Sequence, residues 1–141
     1  MASITTSDIV AAAEFRAALR QFLRRSERVA RQYGLTPQRY LLLLMVKGAA
    51  DGSEQSTVTE LAQRLQLAQS TVTELVRRAE EAGLLEREQS HTDARVAHLR
   101  LTAEGERRLV LAFTGISSER AYLQEAFAQL AHLDAAAIEA R

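Results

Sequence analysis

The most constraining feature of this 141-residue chain is a near-repeat, Thr57-Val58-Thr59-Glu60-Leu61 and Thr71-Val72-Thr73-Glu74-Leu75, whose copies lie 14 positions apart. Two copies are too few for a stacked repeat array. Each instead places a threonine three residues before a glutamate, the spacing of a capping box at the start of a helix. The pattern predicts two short helices in tandem, about 57–66 and 69–82, the second stopped by Gly83. Beyond Gly83 the period changes from helical to alternating. Leu84-Leu85-Glu86-Arg87-Glu88, a polar stretch from Gln89 to Asp93, and Val96-Ala97-His98-Leu99-Arg100-Leu101 read as a hairpin with a charged tip, Leu99 and Leu101 facing one way and His98 and Arg100 the other.

The flanks are helical. Ser7 can cap a long helix whose apolar residues Phe15, Leu19, Phe22, Val29 and Tyr33 recur at helical spacing, with Gly34 as its stop. The opposite face carries Arg16, Arg20, Arg24, Arg25, Arg28 and Arg31, either a solvated face or a surface for a backbone or partner contact. Thr36-Pro37 starts a second helix, with proline in the first turn where its missing N–H costs nothing. Because Tyr40 to Val46 is apolar on every side, that helix is expected at the centre of the fold, ending near Gly48 before a loop through Gln55. After the hairpin, Thr102 caps a helix containing Leu109, Val110, Leu111 and Phe113. Helical spacing resumes beyond Gly115 with Ile116, Tyr122, Leu123, Phe127 and Leu130, and Leu133-Asp134 can open a last short helix. With one proline, six glycines and 47% hydrophobic residues, the chain is expected to form a single domain, 1–141, mainly α with a small β-hairpin wing (α+β).

Two short helices joined by a tight turn and followed by a hairpin can place one helix in the major groove of DNA and the hairpin against the minor groove. The early residues of the second helix, Gln69, Ser70, Thr71 and Thr73, are short polar groups suited to base edges and phosphates, while Val72, Leu75 and Val76 supply its buried side. On their own these hydroxyls could equally cap a structural helix. Arg77 and Arg78 can reach the DNA backbone. Asp93-Ala94-Arg95 puts an arginine at the hairpin apex with an acid able to orient its guanidinium toward a narrow, electronegative groove. Charge is the weak line of support: the chain has 18 basic and 18 acidic side chains, and residues 57–101 carry 6 and 7. Any DNA surface must therefore be sorted spatially.

The chain resembles the MarR family of bacterial transcription regulators over nearly its whole length. The residues that carry the resemblance are Leu35-Thr36-Pro37-Gln38, Glu60-Leu61-Ala62, Ser70-Thr71-Val72-Thr73, Gly83-Leu84-Leu85-Glu86-Arg87, Asp93-Ala94-Arg95 and Leu101-Thr102-Ala103-Glu104-Gly105. The resemblance implies a winged helix-turn-helix, 36–101, between dimerisation helices at 7–34 and 102–141. It implies a homodimeric repressor whose two heads read a palindromic operator on double-stranded DNA and which is released by a small aromatic or anionic effector. The DNA-binding residues it implies are Gln69, Ser70, Thr71, Thr73, Arg77, Arg87, Asp93 and Arg95, with Arg95 in the minor groove and Asp93 orienting it. Candidates near an effector site are Arg16, Tyr33, Tyr40 and His98, although a tyrosine on a helix is more often core, and no pocket follows from sequence. Glu74 departs from the family pattern, where a basic or neutral residue is more usual; it reads a cytosine amino group or faces the protein. The final helix is expected to be short.

Other function classes find little support. With no cysteine, disulfides, thiolate metal sites and thiol switches are excluded. His91, His98 and His132 are far apart, and no HExxH, G-x-S-x-G, phosphate-loop or dinucleotide glycine pattern occurs, so no enzyme, cofactor or metal is expected. His91 with Asp93 is more simply an exposed turn than a metal site. The longest apolar run is too short for a membrane span and no signal peptide precedes it, so a cytoplasmic protein is expected. The alternative to DNA binding is a winged helix used only for protein contact.

Overall fold

The computed structural model describes residues 3–139, with side-chain environments through 131. Six helices and a two-stranded antiparallel hairpin are formed among them, in the order α1 (Thr6–Gln32), α2 (Pro37–Lys47), α3 (Val58–Leu65), α4 (Gln69–Glu81), β1 (Leu85–Gln89), β2 (Ala97–Leu101), α5 (Ala103–Thr114) and α6 (Ser117–Glu139). They form two compact units, one from residues 1–29 with 113–141 and one from 30–112.

In the first unit α1 and α6 run antiparallel. Phe15 meets Phe127 with ring centroids 6.0 Å apart, and Arg25 reaches Glu119 at 3.4 Å. Ala18, Val29, Ile116 and Ala126 are buried. The cap of α1 is Thr5 rather than Ser7. Its hydroxyl accepts from the Asp8 N–H while its own N–H and hydroxyl donate to the Asp8 carboxylate, a reciprocal box that moves the helix start ahead of Ser7. This box holds the Asp8 carboxyl below its ordinary range. Arg120 stacks over Phe113, its Cζ 3.6 Å from the ring centroid. α6 runs unbroken through Leu133 and Asp134, so no separate terminal helix begins there and the last helix, 23 residues long, is not short.

The second unit holds the winged helix-turn-helix. Its core gathers Leu35, Tyr40, Leu42, Leu43, Val46, Leu61, Val72, Val76, Leu84, Leu99 and Leu109. α2 supplies four of these, but Leu41 is 42% exposed, so the helix is buried on most sides rather than all. A run of leucines on a helix cannot all face inward when one side meets solvent. Thr36 caps α2 by accepting from the Arg39 N–H.

The two copies of the repeat start differently. Thr57 caps α3, accepting from the Glu60 N–H at 3.2 Å. Thr71 caps nothing: α4 begins at Gln69 behind Ala68, which has no side chain able to cap, so Thr71 already lies in the first turn. Thr57→Ala is therefore expected to cost about 1 kcal/mol in denaturant unfolding and Thr71→Ala less than about 0.5 kcal/mol. Equal losses would contradict this difference.

Leaving α4, Gly83 takes φ +75°, a left-handed conformation that places no Cβ against the turn. The Leu84 N–H then bonds the Ala79 carbonyl and the chain enters β1. β1 and β2 pair in the register Leu85 with Leu101 through Gln89 with Ala97. Ser56, between the loop expected through Gln55 and the start of α3, exchanges two backbone hydrogen bonds with Leu99, tying the start of α3 to the wing. Thr102 ends the wing by donating to the Gly83 carbonyl at 2.6 Å and accepting from the Gly105 N–H.

Candidate nucleic-acid interface

The turn between α3 and α4 is three residues long, with Gln66 in the left-handed region at φ 57° and its side-chain amide donating to the Gln63 carbonyl. α4 then buries Val72, Leu75, Val76 and Ala79. The same period turns Gln69, Ser70, Thr71 and Thr73 to solvent, all four exposed. Gln69 donates across the turn to the Thr59 hydroxyl at 3.4 Å, and Thr73 donates back to the Gln69 carbonyl at 2.8 Å. Because α4 has no side-chain cap, its first N–H groups point outward without an intrahelical or capping acceptor, the arrangement that suits a phosphate.

The wing tip spans the residues between Gln89 and Ala97. Ser90 gathers it, its N–H donating to the Val96 carbonyl and its hydroxyl accepting from the Thr92 and Asp93 N–H groups. The Gln89 amide also donates to the Ala94 carbonyl. On this frame Asp93 accepts from the Arg95 N–H at 3.0 Å and from its guanidinium at 3.2 and 3.4 Å. The Arg95 pair holds the Asp93 carboxyl below its ordinary range. The Arg95 side chain is 91% exposed, oriented by its neighbour yet almost wholly in solvent.

Between the helix starts and the wing lies a groove of about 530 Å³ lined by Thr57, Thr59, Gln69, Thr73, Arg87 and Arg95 among others. Five of the eight sequence candidates have a clear place here: Gln69, Thr73, Arg87 and Arg95 line it, and Asp93 orients Arg95. Ser70 and Thr71 lie on the exposed side of α4. Arg77 is held along α4 by Glu74 and Glu81, and Arg78 by Glu74 at 3.0 Å. Arg87 reaches Glu80 at 2.7 Å, which raises its pKa. The two arginine contacts with Glu74, Arg77 first, bring that carboxyl down to about 2. These pairings are invisible to a reading of residue types, although the i,i+3 and i,i+4 spacings of Glu74 with Arg77 and Arg78 foreshadow two of them.

The effector candidates are dispersed by environment: Tyr40 is buried, Tyr33 and His98 half-buried, and Arg16 exposed. Arg16, Arg20, Arg24 and Arg28 form no ion pair among the described residues. No group of three or more His, Asp or Glu side chains among the described residues is placed to hold a metal ion. No helix among them is long and apolar enough to cross a membrane.

Residues 33–96 match the sequence model of the MarR family. None of the curated proteins matches the chain. Among solved structures, AbsC, a MarR family transcriptional regulator from Streptomyces coelicolor, superposes with a TM-score of 0.66 at 20% identity, covering 96% of this chain and 93% of its own. YusO from Bacillus subtilis gives 0.64 at 24% identity, covering 98% and 100%. Overoxidized AbfR bound to DNA gives 0.56 at 29% identity, covering 84% and 88%. The sequence pattern of the MarR family thus extends across the winged head, residues 33–96, and the fold along nearly the full length is that of these solved structures.

Proposed function

We propose that the protein is a DNA-binding transcriptional repressor that acts as a homodimer, each winged head reading one half of a palindromic operator. The observation that carries this reading is the pairing of an oriented, solvent-exposed Arg95 at the wing apex with an uncapped, hydroxyl-bearing start of α4 across one groove. In this reading α4 enters the major groove, Ser70, Thr71 and Thr73 meet base edges and phosphates, and Arg95 enters the minor groove, where negative potential is strongest. AbfR, a protein of the same fold, binds DNA.

A second copy is the expected partner of the first unit. Ile9, Val10, Leu23, Phe113, Tyr122 and Phe127 are all exposed there, large apolar side chains that a second copy would cover. Reading successive major grooves as a C2 pair requires the two α4 helices to lie about 34 to 36 Å apart, one turn of B-form DNA. A small aromatic or anionic effector that favours a different spacing would release the operator.

The test is a salt titration of binding to a duplex selected from random sequence and to a scrambled duplex. A reader of bases is expected to prefer the selected duplex by at least about 1000-fold, with log affinity falling by about 0.9 per phosphate contact for each unit of log salt. Equal, salt-independent binding to both would leave only a protein-contact module.

A further inference from the structure

The outer line of α4, opposite Val72, Val76 and Ala79, runs through Ser70, Glu74, Arg77 and Glu81. Its one cation is already matched within the helix. Glu74 accepts from Arg77 through a two-bond fork, Nη2 at 2.6 Å and Nε at 2.9 Å, and from Arg78 Nε at 3.0 Å. The second branch of Arg77 meets Glu81. Arg87, on the first strand of the wing, is likewise engaged by Glu80. On this line of α4 and at Arg87, phosphates therefore meet little unmatched positive charge.

We propose that Glu74 is a base-gated restraint: in the free protein it holds Arg77 and Arg78 off the DNA backbone, and it releases them where a cytosine presents its amino group in the major groove. The inference rests on the DNA-binding reading above. A carboxylate is acceptor-only, so it gains from cytosine N4–H and is repelled by the acceptors of guanine and thymine; adenine offers a donor, but beside the N7 acceptor. One turn beyond Ser70, Glu74 meets base edges whenever the first half of α4 enters the groove. At a cytosine it exchanges two arginine partners for a base, and both guanidiniums become available to phosphates. At other bases the fork stays closed and the backbone contacts are forfeited. Specificity then comes from weakening binding to the wrong sequence as well as from strengthening binding to the right one.

The experiment compares wild type, Glu74→Gln and Glu74→Ala on three duplexes of about three helical turns, a length that covers both half-sites. One carries the sequence enriched from a random pool, one has its α4-contacted cytosines changed to thymine, and one is scrambled. Both variants are expected to bind the scrambled duplex about tenfold tighter, with a salt slope steeper by about 1 to 2 as Arg77 and Arg78 gain phosphates. The cytosine-to-thymine change should weaken wild type by about tenfold and leave the variants nearly indifferent. Thermal midpoints should stay together, since exposed ion pairs contribute little to folding. Unchanged affinity and slope on scrambled DNA overturn the inference. So does a gain confined to Glu74→Gln, which would mark a new amide contact rather than a released restraint. If wild type prefers the enriched duplex and loses it on Arg95→Ala while both Glu74 variants behave as wild type, only this inference fails. If wild type prefers no sequence, the DNA-binding reading fails and takes the inference with it.

Discussion

Arg95→Ala is expected to fold as wild type and to lose about 1 to 3 kcal/mol of operator affinity, a factor of roughly 5 to 150. The two halves of that expectation come from the same geometry. A side chain 91% exposed makes almost no packing contact, and its one partner among the described residues, Asp93, belongs to a tip already held by the Ser90 hydrogen bonds. Removing the guanidinium therefore leaves the wing frame intact. What disappears is a cation whose direction was set before binding, so the loss is of a groove contact rather than of structure. The loss should be greatest at operators whose flanks are A·T-rich, because a narrow minor groove concentrates negative potential. Operator affinity equal to wild type, measured beside an unchanged thermal midpoint, would remove the wing from the interface. Asp93→Asn should fall between the two, since it keeps a hydrogen-bond acceptor for Arg95 but loses the charge that fixes it.

Gly105→Ala is expected to be the most destabilising small substitution in the winged unit, lowering stability by about 2 kcal/mol or more and the midpoint by roughly 10 °C. Helix propensity alone predicts the opposite, a gain of about 1 kcal/mol for replacing glycine inside α5. Sterics decide the sign. A Cβ at Gly105 would sit 2.2 Å from the Leu84 carbonyl oxygen and 3.1 Å from its carbon, both backbone atoms. That carbonyl cannot withdraw freely, because it accepts from the Thr102 N–H at 3.0 Å and belongs to a residue with no exposed surface. Either α5 lifts away from the start of the wing or the hydrogen bond breaks. A midpoint equal to or above wild type would show that α5 can shift without cost.

These cases show what local patterns reveal and what they do not. Helix positions, the stop at Gly83 and the hairpin follow from period and punctuation, because each is decided by residues within a few positions of one another. The repeated Thr-x-x-Glu shows the limit of the same logic. Thr57 caps a helix by accepting from the Glu60 N–H, while the identical Thr71 and Glu74 sit inside one, since the tight turn after Gln66 starts α4 at Gln69 and leaves Glu74 facing two arginines a turn ahead. Ser7 likewise lost the start of α1 to Thr5, whose partner Asp8 stands at the spacing a box requires. At the candidate interface, Asp93 and Arg95 are legible because they are neighbours in sequence. The fork on Glu74, the reach of Glu80 to Arg87, and the need for glycine at 105 each depend on side-chain geometry or on an element brought in from elsewhere in the chain.

The bridge between Ser56 and Leu99 gives the head its closure. Both residues are buried, and their reciprocal hydrogen bonds, 3.0 and 2.8 Å, join the chain just before α3 to the middle of β2, enclosing α3, α4 and β1 in a single loop. Such a clasp has little to gain until the helices it encloses are in place, because the entropy of closing a long loop must be met by contacts formed inside it. The wing is thus tied into the same closed loop as the helices rather than appended to them: its tip can fray at small cost, but loosening it at Leu99 opens the path to the helices themselves.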